Sequence, residues 1–177
     1  MKIALIADVH SNAQALSLVL DKARQHNASA LVLAGDLIGY YFQPAECLRL
    51  LMEWETMLFA VRGNHEEMLG DAISSWNKRI NILSTYGPGI NIAIDQLSCG
   101  QIEWISKLPH PLEVSCQGCS IAICHGSPNN ISKYIYQDSP MQDLFKSLKK
   151  VPNVLVMGHT HYPFVKRVEN CLVINPG

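Results

Sequence analysis

The sequence predicts an α/β protein in which strands and helices alternate first and closely spaced strands follow. Short apolar runs such as Lys2–Ala7 and Ala30–Ala34 are continuous, as in strands that are buried on both faces of a parallel sheet. Segments with the 3.6-residue spacing of an amphipathic helix separate these runs. Beyond residue 110 several apolar runs lie close together, so the whole pattern indicates a layered α/β fold.

The first half of the chain alternates between the two element types. Leucine and valine recur at helical spacing within Asn12–His26, and Pro44 suits the first turn of the next helix because that position needs no N–H. Gly87-Pro88-Gly89 interrupts the helical segments that follow. In chain order we predict a strand at 2–7, a helix at 12–26, a strand at 30–34, a helix at 44–53, a strand at 56–61 and helices at 66–83, 90–94 and 99–107.

The second half is predicted to be mainly strands. Gln117-Gly118 has the composition of a hairpin turn between strands at 112–115 and 120–124. A helix is predicted at 140–150 with Leu144, Phe145 and Leu148 facing inward, and strands at 153–157, 164–168 and 172–174. The chain contains no repeat, low-complexity tract or polar linker, so we expect a single domain over residues 1–177.

The charge balance argues against several classes of partner. Lysine plus arginine number 14 and aspartate plus glutamate number 15, which gives no electrostatic footprint of a nucleic-acid or membrane-surface binder. The N-terminal apolar run is too short for a secretory signal and ends at Asp8. We therefore expect a cytoplasmic protein without membrane contact, whose partners are small phosphorylated molecules if metal ions supply the positive charge.

The cysteines are expected to be reduced thiols in that compartment. Cys116 and Cys119 form a Cys-x-x-Cys, but no second pair of this kind exists to complete a structural zinc site. We interpret the pair as two residues that flank the hairpin turn.

Polar side chains follow five of the predicted strands at the point where each strand ends. In open α/β sheets the ligand site lies at the carboxyl ends of the strands, so these five segments can meet in one crevice. They are Asp8-Val9-His10, Gly35-Asp36, Gly63-Asn64-His65-Glu66, His125-Gly126 and Gly158-His159-Thr160-His161.

The residue types in these segments suit a metal site. Aspartate and neutral histidine are ligands for first-row divalent ions. If the segments are extended, residues two apart face the same way, which would pair Asp8 with His10 and His159 with His161. Five of the seven histidines occur here; the others are His26, at the end of a helix, and His110, which we expect on the surface of a loop.

Taken together, the five motifs resemble those of the calcineurin-like metallophosphoesterases in order and spacing, from residue 1 to residue 177. Asp36-Leu37-Ile38-Gly39-Tyr40, the segment 104–109 and His125-Gly126-Ser127-Pro128 resemble small bacterial members, the phosphodiesterase-like and diadenosine tetraphosphatase-like branch. The resemblance implies a four-layer αββα sandwich of two mixed sheets flanked by helices, with a two-metal site between the sheets.

The resemblance also implies roles for individual residues. Asp36 would bridge both metals and His65 would face the scissile phosphate without binding metal. The two metal sites would be formed by Asp8, His10 and His161 and by Asn64, His125 and His159.

The expected reaction is hydrolysis of a phosphodiester or phosphomonoester, possibly of a nucleotide. Two bridged cations lower the pKa of a bridging water and supply hydroxide at neutral pH. Asn64 and His65 would meet the charge on the phosphate, and His65, as imidazolium, would assist the leaving oxygen. Mixed imidazole and carboxylate ligands fit manganese, iron, zinc, nickel or cobalt, with manganese favoured.

Two features depart from the family pattern. Protein Ser/Thr phosphatases of this superfamily carry an Asp-Arg pair where this chain has Gly39 and Tyr40, which argues against that activity and leaves the orienting partner of His65 open. The chain ends at Asn175-Pro176-Gly177, where related proteins add a further strand, so a shortened second sheet and a homo-oligomer that covers its edge are expected.

Alternatives remain open at this stage. One is a non-catalytic interaction protein on the same fold, although such proteins typically lose the ligands that are intact here. Another is a metal-dependent nuclease, which the near-neutral charge disfavours. Tyr40, Tyr41, Lys133 and Tyr134 follow motif residues and are either substrate contacts or ordinary surface residues.

Overall fold

A computed structural model describes residues 1–141 and 143–177 of the chain. The first half forms three parallel strands and six helices, and the second half forms five strands. The strands are β1 (Ile3–Ile6), β2 (Ala30–Ala34), β3 (Met57–Val61), β4 (Leu112–Cys116), β5 (Cys119–Ile123), β6 (Val154–Val156), β7 (Phe164–Val168) and β8 (Cys171–Asn175). The helices are α1 (Ala13–Gln25), α2 (Pro44–Met52), α3 (Asn64–Ser74), α4 (Trp76–Tyr86), α5 (Gly89–Gln96) and α6 (Cys99–Ser106).

The strands form two sheets. The first has the order β1-β2-β3 and is parallel throughout, rather than mixed as expected. The second has the order β4-β5-β6-β8-β7 and is mixed, because β5, β6 and β8 are parallel while β4 and β7 pair antiparallel at its edges. The last strand, β8, lies inside the second sheet, whose two edge strands are β4 and β7.

Alternation along β2 shows how the layers stack. Leu31 and Leu33 pack on the helices, whereas Val32 and Ala34 pack between the two sheets against residues such as Ile123. All of these side chains are buried. The two-residue period of the strand thus separates a helix-facing core from an inter-sheet core.

The outer face of the second sheet differs from the prediction. In the described part of 140–150 the chain forms successive turns instead of a helix; Gln142 of that predicted helix lies outside the described residues. Its hydrogen bonds span three residues, as from Leu144 N to the Met141 carbonyl at 3.2 Å. Leu144, Phe145 and Leu148 are nevertheless buried against this sheet, so the predicted inward set is confirmed without the helix. The flanking helices expected on this side are absent from the described residues.

One predicted helix is divided in the structure, and the predicted hairpin is present. The predicted helix at 66–83 is broken at Ser75, which has an extended backbone, ends α3 and caps α4. The Cys116–Cys119 hairpin is confirmed, with all six cysteines free. No helix within the described ranges is both long and apolar enough to cross a membrane.

Candidate metal centre

The five polar segments meet at one end of the two sheets. Asp8 and Asp36 follow β1 and β2, and Asn64 begins α3 directly after β3, so the first sheet supplies three of the segments. His125 follows β5 and His159 follows β6, so the second sheet supplies the other two. The structure therefore brings together every residue that the sequence singled out for this site.

The side chains reach the site by left-handed backbone turns and not by extended geometry. The φ angles are 54° at Asp8, 50° at His10, 52° at Asp36, 70° at His159 and 59° at His161. Residues other than glycine adopt this region rarely and at a cost. Asp8 and His10 were expected to face the same way because the segment was extended, and that reason is wrong. The backbone instead bends sharply at the end of each strand, and these bends point the ligand atoms into the site.

One set of donor atoms surrounds Asp8. The Nε2 atom of His161 lies 3.4 Å from Asp8 Oδ1 and 3.0 Å from His10 Nε2. The His10 Nδ1–H donates to the Ile38 carbonyl at 3.2 Å, which leaves its Nε2 as a bare acceptor. These three residues offer ligand atoms within 4.8 Å of one another.

A second set surrounds His125, which is fully buried. Its Nδ1–H donates to the Ala34 carbonyl at 2.8 Å, so its Nε2 is also a bare acceptor. That Nε2 lies 2.9 Å from Asn64 Oδ1, 3.2 Å from Asp36 Oδ2 and 3.2 Å from His159 Nδ1. Four acceptor atoms this close repel one another unless a cation or a proton lies among them, and the donor set fits a first-row divalent ion.

Asp36 lies between the two sets. Its carboxylate is within 3.7 Å of His10 Nε2 and 3.2 Å of His125 Nε2, and it accepts a hydrogen bond from the His65 backbone N–H at 2.9 Å. Burial by itself raises the pKa of this carboxyl. The imidazoles of His125, His65 and His10 lower it by more, so that the pKa is about 2. Asp36 is therefore a buried anion that faces both donor sets.

The other pKa values show a site short of positive charge. Burial raises the pKa of Asp8 to about 7, and the nearby Asp36 carboxylate adds to the rise. Burial lowers the pKa of His10 to about 4. Burial also lowers the pKa of His125, but the carboxylates of Asp36 and Asp8 outweigh it and raise the value to about 9. Without metal, the protons of Asp8 and His125 take the place of cations.

His65 sits beside both sets. Its Nε2 is 3.9 Å from Asp36 Oδ2, and its buried Nδ1 has no hydrogen-bond partner among the described residues. Burial lowers the pKa of this imidazole, which opposes the imidazolium form expected from the sequence. A Cβ at Gly39 would lie 2.6 Å from His65 Nδ1 and 2.7 Å from His10 Nδ1, so the glycine gives both rings their room.

Sequence reasoning missed several residues that build the site. The buried Glu66 carboxylate accepts from the backbone N–H groups of Asp36, Ile38 and Gly63 at 2.9, 3.2 and 2.6 Å. Asn175 donates from Nδ2 to the Gly158 carbonyl at 2.8 Å and so fixes the turn after β6. Glu66 belongs to the motif Gly63-Asn64-His65-Glu66, so its position in the sequence could have indicated a role in the site.

A cavity of about 300 Å³ opens onto these groups. Tyr40, Tyr86 and Tyr134 line it, together with His65 and His159. No lysine or arginine lines the cavity among the residues that the structure describes. His110, expected on the surface, is instead half-buried, and its Nε2 finds no partner in residues 1–141 and 143–177; burial lowers its pKa to about 4.

The pKa shifts predict how pH affects the metal-free protein. Asp8, Glu66 and His125 have pKa values raised to about 7, 7 and 9, so the folded state holds extra protons at these groups. The histidines whose pKa values are lowered by burial oppose this effect only while the unfolded chain still protonates them, up to about pH 7. We expect the Tm of protein stripped with a chelator to fall as pH rises from about 7 to 9. Calorimetry at both ends of this range checks the sign.

Added divalent metal supplies the control for this pH effect. Metal competes with the extra protons, so its stabilisation is expected to grow over the same pH range. A metal-free Tm that rises with pH would contradict the electrostatic description of the site.

Comparison with known proteins places the chain in a wide group of similar folds. The profile of the calcineurin-like phosphoesterase superfamily domain matches residues 1–177. An uncharacterised protein of Methanocaldococcus jannaschii is 27% identical over 99% of this chain and 68% of its own length.

Two solved structures show the same architecture. A hypothetical protein from Pyrococcus horikoshii superposes with a TM-score of 0.85 at 19% identity, covering 99% of this chain and 75% of that one. A metallophosphoesterase from Sphaerobacter thermophilus gives a TM-score of 0.77 at 24% identity, covering 100% and 76%. At these identities the likeness concerns the fold alone.

Proposed function

Because the chain belongs to the calcineurin-like phosphoesterase superfamily, we propose that it hydrolyses phosphate esters with two divalent metal ions. The observation that carries the proposal is the convergence of bare imidazole nitrogens and carboxylate oxygens from both sheets around Asp36. So many buried acceptors, with no lysine or arginine among the described lining residues, call for metal.

The proposed ligand sets follow the two groups of donor atoms. One metal would be held by Asp8, His10 and His161, and the other by Asn64, His125 and His159, with Asp36 shared. Manganese, iron, zinc, nickel and cobalt all suit this mixture of ligands, and manganese is our first choice for reconstitution.

When bound, two such ions supply Lewis-acid charge to the phosphate oxygens and make water a stronger nucleophile. The chain's own groups then orient the substrate. With Nδ1 unpaired, neutral His65 carries its proton on Nε2, the atom nearer Asp36, and can donate it in a hydrogen bond to an oxygen of the phosphate or the leaving group. Asn64 also lines the cavity, and its side chain can hold a second phosphate oxygen.

We propose a diester as the preferred substrate. A monoester carries close to two negative charges at neutral pH, whereas a diester carries one. The described lining of the cavity offers no lysine or arginine to balance the extra charge. Two metals with two buried carboxylates therefore suit the less charged ester.

The first experiment compares para-nitrophenyl phosphate with bis(para-nitrophenyl) phosphate on metal-stripped protein with and without added manganese. We expect metal to restore hydrolysis, and the diester to react faster. Metal binding without any hydrolysis would contradict an esterase with a relaxed substrate range. Failure to bind metal would instead favour a non-catalytic interaction protein.

The role of His65 has its own test. His65→Ala is expected to lower kcat about 10²- to 10³-fold, because one preorganised donor to the reacting group is lost. Metal content measured by mass spectrometry should stay near that of the original protein. His26→Ala, at the exposed end of α1, is the matched control. Full turnover of a diester with a poor leaving group by His65→Ala would exclude this role.

A further inference from the structure

Three of the six tyrosines of this protein, Tyr40, Tyr86 and Tyr134, line the cavity of the site. All six are exposed at their tips or rings, and none belongs to the buried core. Tyrosine normally buries much of its ring, so a cluster of exposed rings beside a cavity indicates a binding surface. Five of them contact one another or the imidazoles of the site: Tyr40, Tyr86, Tyr134, Tyr136 and Tyr162.

The rings of Tyr134 and Tyr136 are nearly parallel and lie next to one donor set. Their ring planes differ by 10° and their centroids are 6.2 Å apart. The Tyr134 ring also lies 4.2 Å from the imidazole of His159, centroid to centroid. Ile135, between them, is buried with Leu144 and Phe145 on the outer face of the second sheet, so the backbone turns both tyrosines outward.

The segment that carries these rings is fixed before any substrate arrives. The His159 Nε2–H donates to the Ser132 carbonyl at 3.1 Å, just ahead of Tyr134. The Tyr136 N–H donates to Ser139 Oγ at 2.9 Å, and Lys166 Nζ donates to the Gln137 carbonyl at 2.7 Å. A ring that is already held in place loses little entropy when a second ring stacks on it.

We infer that Tyr134, supported by Tyr136, is a stacking platform for the base of a small nucleoside phosphodiester. The inference rests on the proposed esterase function and names its substrate class. Aromatic faces bind bases without needing charge, which suits a cavity that lacks cationic side chains in the described residues. With a net charge of −1, the protein does not favour a long polyanion, so the substrate is a nucleotide and not a nucleic acid.

The geometry also orients the substrate. The Tyr134 ring lies against His159, a member of one donor set, whereas His65 lies beside His10 and Asp36. The base on Tyr134 therefore belongs to the group that keeps the phosphate, and the leaving alcohol departs past His65. Water adds its oxygen to phosphorus, the bond from phosphorus to the leaving oxygen breaks, and that oxygen takes a proton. The products are a nucleoside monophosphate and an alcohol.

The test uses two diesters with the same leaving group, thymidine 5′-(para-nitrophenyl phosphate) and methyl para-nitrophenyl phosphate, on manganese-loaded protein. We expect kcat/KM to favour the thymidine ester at least tenfold. Tyr134→Leu should lower kcat/KM for the thymidine ester about tenfold more than for the methyl ester, and Tyr134→Trp should restore the preference. Trp76→Leu, which removes an exposed aromatic ring at the start of α4, is the control and should keep the preference.

A binding measurement separates this inference from the esterase function. Thymidine 5′-monophosphate, the expected product, should bind Tyr134→Leu about tenfold more weakly by calorimetry, while inorganic phosphate binds both proteins alike. An unchanged affinity or preference in Tyr134→Leu, or an equal loss in Trp76→Leu, overturns the platform. Absence of hydrolysis of either ester by the original protein overturns the esterase proposal, and the affinity for thymidine monophosphate still decides the platform.

Discussion

Asp36→Asn is expected to lower turnover of bis(para-nitrophenyl) phosphate by about 10³-fold or more, because the change removes the anionic ligand proposed to be shared by both metals and with it several kcal/mol of metal binding. Asp36 is the buried anion that faces both donor sets, at 3.7 Å from His10 Nε2 and 3.2 Å from His125 Nε2. An amide keeps the volume but not the charge. Metal content per protein, measured by mass spectrometry, should fall as well.

The control for this substitution is Asp95→Asn, which makes the same chemical change on an exposed part of α5. It should keep both metal and activity. If Asp36→Asn retained two metal ions and lost only turnover, Asp36 would act on the substrate and not as the shared ligand.

Glu66→Ala is expected to destabilise the protein by roughly 3 kcal/mol or more, since three buried backbone N–H groups lose their acceptor and each such loss costs about 1–3 kcal/mol. Those groups belong to Asp36, Ile38 and Gly63. The Glu66 carboxylate thus ties the loop after β2 to the start of α3, and its loss should also loosen the placement of Asp36. Urea unfolding measures the stability change.

A matched pair of variants sharpens the result for Glu66. Glu66→Gln keeps one oxygen acceptor and should lie between the original protein and Glu66→Ala. Glu67→Ala is the neighbouring control, because Glu67 is exposed and makes only a surface ion pair with Arg62 at 3.3 Å. Such pairs contribute about 0–1 kcal/mol. Equal losses from the two alanine variants would show that the buried hydrogen bonds carry no special weight.

Much of the fold could be predicted because it depends on local patterns. Continuous apolar runs marked β1, β2 and β3, and the Gln117-Gly118 turn marked the hairpin between β4 and β5. The segment at 140–150 was mispredicted because burial of Leu144, Phe145 and Leu148 can be achieved by turns as well as by a helix. Periodicity reports which side chains face inward and not which backbone hydrogen bonds form.

The residues of the site could be predicted where a candidate ligand directly follows a strand in the sequence. Asp8, Asp36 and His125 each come at a strand end, and the structure brings them together. The roles of Glu66 and Asn175 were harder to predict, because their side chains hydrogen-bond to backbone groups that are distant in the sequence. Such contacts leave no repeating signal.

Tyr86 shows the same limit for substrate contacts. It ends α4, about twenty residues after the nearest motif, and reaches the imidazole of His65 only through the packing of the helices. Its ring centroid lies 5.6 Å from that of His65. Nothing in the local sequence marks this position as part of the site.

The left-handed turns at the strand ends have a consequence for the stability of the fold. Each non-glycine residue in this region forfeits about 1–2 kcal/mol relative to glycine, and five proposed metal ligands adopt it here: Asp8, His10, Asp36, His159 and His161. Glycine at these bends would make the fold more robust but would remove the ligand atoms and leave the site inert. The most stable version of this backbone is therefore not the one that can bind metal.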